Sequence, residues 1–231
     1  MRVPQAAAAA IALLAAGLAA APASPATASG ATPANVLSGI AGYVASGTGP
    51  YSSVSTSWTQ TTVACLSNAD DVATWVGLDG FASSTIEQIG VDTSCASGAP
   101  VTEGWYELYP AAPIYLSPTS YPVSPGDSVS ASVSASGTTM QLTLADHTHG
   151  WTYTKKVANS VAHSSAEIVV EGATGKYPNF GTLKFTGATV NGAALSAASP
   201  TAYDAANGGV IEAHTSAILG GTSFTVTWQH H

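Results

Sequence analysis

Residues 75–92 read WVGLDGFASSTIEQIGVD. Two runs, 72–78 and 85–91, flank a turn through Asp79, Gly80 and the Ala-Ser-Ser cluster at 82–84, a pattern that predicts a β-hairpin. Side chains alternate between the two faces of a strand. Trp75, Gly77 and Asp79 therefore share one face and Val76 and Leu78 the other. In the second run Ile86, Gln88 and Gly90 share a face, opposed by Glu87, Ile89 and Val91. One hairpin thus sets a Trp, an Asp and a Gln on a solvated sheet face where a ligand could meet them.

The same rhythm runs through the rest of the chain. Further β-type runs are read at 41–45, 53–60, 102–109, 128–134, 139–145, 152–157, 166–170, 181–186, 201–204 and 223–228, separated by Gly, Ser, Pro and Asn turns. Many short strands with such punctuation predict an all-β sandwich or barrel. After residue 28 no stretch carries a helical apolar stripe for three turns, and the Pro-rich 117–126 segment reads as a loop. There is no internal repeat, so residues 29–231 read as one domain.

Residues 1–28 read as a signal peptide: Arg2, an apolar run at 6–21, and Ala26-Thr27-Ala28 as a small-residue cleavage site. The apolar run is shorter than the ~20 residues of a spanning helix, so the protein is expected to be secreted and extracellular, with no membrane partner after processing. Of 231 residues only 8% are charged, with a net charge of −8. Without Arg2, four lysines face 13 acids, a balance that excludes a nucleic-acid footprint. It suits a protein working in acid. The two cysteines, Cys65 and Cys95, flank the hairpin and are expected to form a disulfide after export. A monomer is the default expectation.

Two more strands carry chemistry. TEGWYELYP (102–110) puts Glu103, Trp105, Glu107 and Tyr109 on one face; SAEIVVEG (165–172) puts Glu167, Val169 and Glu171 on one face, with Ile168 and Val170 toward the core. By patterning alone these are equally well solvated faces with ordinary exposed side chains. Residues four apart on a strand lie about 13 Å apart, beyond the roughly 5–9.5 Å of a glycosidase carboxyl pair. That excludes Glu167 with Glu171 and Glu103 with Glu107, but not Glu107 with Glu171 from different strands. There is no Gly-x-Ser-x-Gly elbow. His147 and His149 lack a third obvious ligand and read as a surface turn, so no metal is expected.

The three stretches resemble the glutamic peptidases (eqolisins). WVGLDG with TIEQIGVD, WYELYP, and the Ala-Glu-x-x-x-Glu of 166–171 follow one another in that family's order. GIAGY (39–43) resembles the family's opening more weakly, with Gly39 and Ile40 where the family has Asn and Trp. The resemblance implies two packed antiparallel sheets, a lectin-like jelly-roll sandwich, and an acid endopeptidase without a cofactor or metal. It implies Glu171 as the general base and Gln88 as the stabiliser of the tetrahedral intermediate. Trp75, Asp79, Trp105, Glu107 and Tyr109 would bind the polypeptide substrate. A base near the reference carboxylate pKa would work best in acid. Two alternatives stay open: a lectin-like binding module that has lost turnover, motivated by Ile40, and a glycoside hydrolase on a similar sandwich.

Overall fold

The alternating runs fold as strands, and the computed structural model describes residues 35–81, 83–158, 161–172 and 176–231. The expected signal peptide, residues 1–28, lies outside them. In chain order the strands are β1 (Val36–Leu37), β2 (Ile40–Ser46), β3 (Ser53–Thr59), β4 (Asp71–Asp79), β5 (Ile86–Ser94), β6 (Val101–Tyr109), β7 (Ile114–Tyr115) and β8 (Ser128–Ser136). They continue as β9 (Thr139–Asp146), β10 (Trp151–Ala158), β11 (Ser165–Glu171), β12 (Thr182–Val190), β13 (Ala193–Ala194), β14 (Thr201–Asn207), β15 (Val210–Thr215) and β16 (Phe224–Trp228). One short 3₁₀ turn, Leu195–Ala198, is the single helical element among the described residues.

Two antiparallel sheets result. One runs β10-β9-β8-β3-β12-β16-β15-β14 and the other β14-β2-β11-β4-β5-β6-β7. β14 belongs to both: Thr201–Tyr203 pair with β2, while Ala205, Ala206 and Asn207 pair with β15 across a register shift. The sheets pack face to face as an all-β sandwich, the architecture expected from the sequence. The core sits between them, where period-two alternation delivers one face of every strand. Val76, Leu78, Ile89, Val91, Ile168 and Val170 of one sheet meet Val129, Val133, Met140, Leu142 and Leu144 of the other in one buried cluster. Burying each such side chain contributes about 1.5–3 kcal/mol.

The second sheet is not solvated on its other face, contrary to the sequence reading. Ala73, Trp75, Trp105 and Val169 form a separate buried cluster there, with Ile40 and Ile86 packed against it. That cluster floors the candidate site.

The sequence missed β15, whose run Val210–Thr215 follows two glycines and spends a buried position on Glu212. It also began β4 one residue late, at 72, and ended β5 three residues early, at 91, because Asp disfavours strands.

The expected disulfide joins Cys65 to Cys95, 30 residues apart. It closes the open end of the β4–β5 hairpin, where Cys95 N–H also donates to Asp70 O at 3.0 Å. Cys65→Ala with Cys95→Ala is expected to cost about 2–4 kcal/mol in chemical denaturation, mostly through the freer unfolded chain.

Candidate active site

Three rungs of the second sheet build the site. Along the first, Glu167 of β11, Gly77 of β4, Gln88 of β5 and Glu107 of β6 stand side by side. The next rung is Val169, Trp75, Gly90 and Trp105; the third is Glu171, Ala73, Asp92 and Glu103. On β2, Ile40 is the partner of Glu171. Antiparallel pairing aligns the side-chain parity of neighbouring strands, so all these side chains share the face away from the core.

The glycines make room for the large ring between the rungs. A Cβ on Gly90 would lie 2.7 Å from Trp75 Cβ and 2.1 Å from Thr74 O, and one on Gly77 would lie 2.9 Å from Trp75 Cζ3. Gly77 leaves room for the indole ring, and Gly90 for the close approach of the Trp75 backbone and Cβ. From there Trp75 Nε1 donates to Glu171 Oε2 at 2.9 Å.

Gln88 is 6% exposed, so its amide orientation is set by neighbours rather than solvent. Its Nε2 donates to Glu107 Oε2 at 2.5 Å, which leaves one N–H outside that bond. Oε1 is buried and makes no hydrogen bond among the described residues. A cleft of about 390 Å³ lies above this floor, walled by Ile40, Phe81, Ile86 and Tyr109 and rimmed by Ser83 and Ser84. A second hollow of about 210 Å³ continues from it past Trp105 and Tyr115. Gln88, Glu107 and Glu171 border both, so they stand where the two halves meet.

The electrostatics follow from burial. Burial pushes the Glu171 carboxyl above its usual value; the Trp75 N–H pulls it back, and the negative charges of Asp71 and Glu107 add to the rise. Glu167 is pushed well above its usual value by burial. The Ser165 hydroxyl and the Phe81 amide temper that shift while the Asp79 charge adds to it, and among the described residues neither Glu167 oxygen completes a hydrogen bond of ordinary geometry.

Of the side chains expected to bind substrate, Trp75, Glu107 and Tyr109 line the larger half of the cleft and Trp105 the smaller. Asp79 lines neither. It ends β4 at a φ of +68° and is fully buried. Its Oδ1 accepts from Ser164 N at 2.7 Å and Ser164 Oγ at 2.8 Å, and its Oδ2 accepts from Ala162 N. Three donors on the segment leading into β11 thus capture the carboxylate. Asp79→Ala is expected to destabilise the fold by about 2–3 kcal/mol, read by denaturant unfolding. A substrate contact would instead raise KM and leave the unfolding midpoint in place.

Sequence reasoning passed over Asp71 and Asp92. Asp92 shares the parity of Gln88 and Asp71 that of Trp75, so extending both strands to their observed ends finds them. Away from the cleft, the expected turn at His147 and His149 closes β9 onto β10. His149 Nδ1 lies 3.1 Å from both Asp127 Oδ2 and Asp146 Oδ2, a grouping the sequence spacing did not announce.

A family model described as Peptidase A4 matches residues 38–228. The chain belongs to the peptidase A4 family. It is a glutamic-type peptidase, a hydrolase of polypeptides. The match spans all three rungs and both sheets of the sandwich. Solved members of similar architecture include scytalido-glutamic peptidase with a transition-state analogue inhibitor. It is 22% identical at a TM-score of 0.70, over 84% of this chain and 100% of that one. Another is SCP-B, an eqolisin in complex with the tripeptide Ala-Ile-His, 21% identical at a TM-score of 0.66 over 84% of this chain and 100% of that one. Aspergilloglutamic peptidase from Aspergillus niger is 28% identical over 69% of this chain and 99% of its own, at a TM-score of 0.59. No curated protein sequence matches this chain. Within this A4 peptidase, Ile40 packs on the cleft floor beside Glu171, the position where the sequence comparison expected a Trp.

Proposed function

We propose that the chain is a secreted endopeptidase in which Glu171 is the general base and Gln88 stabilises the tetrahedral intermediate. The observation that carries this reading is the shared boundary: Glu171 and Gln88 border both halves of one cleft, so a peptide laid along it brings a bond between them. Glu171 as carboxylate removes a proton from water, and the resulting hydroxide forms a bond to the carbonyl carbon. The Gln88 N–H not held by Glu107 donates to the oxyanion. Glu171 then returns its proton to the amine as the C–N bond breaks, leaving a carboxylic acid and a free amine. Glu107 fixes which way the Gln88 amide faces. Trp75 sets the Glu171 carboxylate by its N–H and, with Trp105, floors the peptide path. Asp79 positions the lead into β11 rather than contacting substrate.

The raised Glu171 moves the acid limb of activity upward from the reference carboxylate range. The limb then lies above the ordinary 4.5 of a glutamate. The test is casein hydrolysis by the processed domain from pH 3 to pH 7, with pepstatin present to silence paired-aspartate proteases. Cleavage in weak acid that survives pepstatin supports the reading. No cleavage at any pH overturns it in favour of a cleft that binds without cutting. Export rests on residues 1–28 and on the formed Cys65–Cys95 bridge. Secretion into the culture medium with the amino terminus at Ser29 is the expected outcome.

A further inference from the structure

The connection from β7 to β8 leaves the cleft sheet, enters the other sheet and ends on a turn at Ser124–Asp127. Ser124 N–H donates to Asp127 Oδ2 at 2.6 Å, so the turn closes on its own carboxylate. Facing it is the β9–β10 turn, where the Thr148 and His149 N–H groups donate to Asp146 Oδ1 at 2.8 and 2.9 Å. Both carboxyls are buried, with Asp127 5% and Asp146 1% exposed. One oxygen of each lies within 4.8 Å of the other. His149 joins them: its Nδ1 is 3.1 Å from Asp127 Oδ2 and 3.1 Å from Asp146 Oδ2. Asp127 and Asp146 are the charges that act on this ring. The neighbouring His147 turns instead to Ser130 Oγ at 2.9 Å, and Lys155 of β10 lies over the Tyr106 ring.

We propose that His149 is a pH-operated latch: as imidazolium it bridges Asp127 and Asp146 and holds the turn before β8 against the β9–β10 turn, and as neutral imidazole it lets the two turns part. The argument is one of charge. Two carboxylates this close in a buried place repel, and a buried charge is costly unless an opposite charge meets it. The imidazolium is that opposite charge, with its Nδ1–H between two acceptors. The neutral ring keeps a single N–H and no charge, so the carboxylates are left facing one another. The hydrogen bond to Asp146 outweighs desolvation, the charges of Asp127 and Asp146 add to the effect, and the ring is raised above its ordinary 6.5. The bridge is therefore complete below 6.5 and is lost as pH rises through the raised value. Other ties between the same segments do not titrate: Trp151 Nε1 donates to Pro122 O and Gln60 N–H to Asp127 O, each at 2.8 Å. Opening is thus local to the two turns and leaves the sandwich folded. The latch is shut in acid and opens toward neutral pH, whichever residues cleave the peptide.

The Ser124, Thr148 and His149 amides report on the latch directly, because each donates to one of the two carboxylates. Their hydrogen-exchange protection, corrected for the intrinsic pH dependence of exchange, can be followed by NMR in the processed domain from about pH 5.5 to pH 8.5, a range that brackets the titration of a raised histidine. Protection of these amides is expected to fall about tenfold over that range. The fall should be centred on the pH at which the His149 ring itself titrates in the same spectra, while the amides of the buried Val133 and Leu142 stay level. His149→Gln, at a side chain 38% exposed, should fold and lose the step. A purely structural His149 would give protection that does not follow the titration of its ring. Level protection in the wild type, a step centred away from the ring's own titration, or a step that persists in His149→Gln overturns the latch. Should the variant fail to fold, the coincidence of the two wild-type midpoints decides alone.

Discussion

Glu171→Gln lowers kcat/KM for peptide hydrolysis by about 10²–10⁴-fold while the protein stays folded, the loss typical of removing a general base. The substitution keeps the shape of the side chain and its acceptor for the Trp75 N–H but removes the group that takes the proton. Gln88→Ala lowers it by about 10²–10³-fold, as expected for an oxyanion donor held in a water-poor site. Trp75→Phe gives a subtler signature. The indole N–H favours the Glu171 carboxylate, so its loss moves the acid limb of the pH profile upward as well as lowering the rate. Full activity in Glu171→Gln combined with loss in Glu107→Gln would reassign the base to Glu107, which already reaches Gln88. Activity lost in Glu167→Gln alone would point to Glu167, although its oxygens are buried where it lines the cleft.

The second large effect is on stability. Glu167, Glu171 and Asp92 all have folded pKa values raised by burial. Above the unfolded values of 4.5 for Glu and 3.8 for Asp, the folded chain therefore holds more protons than the unfolded one. Their contribution is complete below those values and is lost as pH rises through the folded ones, for Asp92 about 8. Each proton is worth about 1.4 kcal/mol per pH unit inside its window. A domain of this size loses ~2–4 °C of Tm per kcal/mol. Melting temperature should therefore fall by on the order of 10 °C between pH 4 and pH 7. His149, raised mainly by its hydrogen bond to Asp146, acts in the same direction above its ordinary 6.5.

Two other acids set the lower bound. Burial alone would raise Asp70, but hydrogen bonds from Ser67, His231 and the 66–67 amides hold it at about 2. Asp146 is likewise lowered, its burial outweighed by the His149 and Thr148 amides and the His149 ring. Their stabilisation is present above 3.8 and is lost as pH falls toward those lower values. Melting curves by circular dichroism at closely spaced pH values check the whole pattern, and Glu167→Gln and Asp92→Asn should each flatten the neutral side. A Tm that rises toward pH 7 would mean these carboxyls are ionised in the folded protein.

How much of the site could be read in advance varies with the kind of statement. The strands bearing Trp75, Gln88, Trp105 and Glu171 were legible, because a half-buried strand needs alternation and alternation leaves a period-two trace. The faces of those strands followed from the same parity. What alternation could not show is that the second face is buried too. Trp75 looks like an exposed aromatic until Gly77 leaves room for its ring against the sheet. Asp79 shows a second kind of failure. Parity gave it the cleft face, and three donors from the segment before β11, more than eighty residues away, took its carboxylate instead. Asp71 and Asp92 failed at strand ends, where local propensity rather than pairing was deciding.

The all-β class, the disulfide, the strands that carry the candidate dyad and the family are legible in the chain without its fold. Each of these is written in local patterns or in short motifs in a fixed order. It took the pairing of distant strands to show that Glu171, Gln88 and Glu107 meet between two halves of one cleft, that the Glu167 oxygens are buried at its edge, and that two aspartates close its far end. Those facts depend on which strands pair and in what register. Residues separated by dozens of positions are brought together by hydrogen bonds between strands, and the shifted acidities come from burial, a property no single strand possesses.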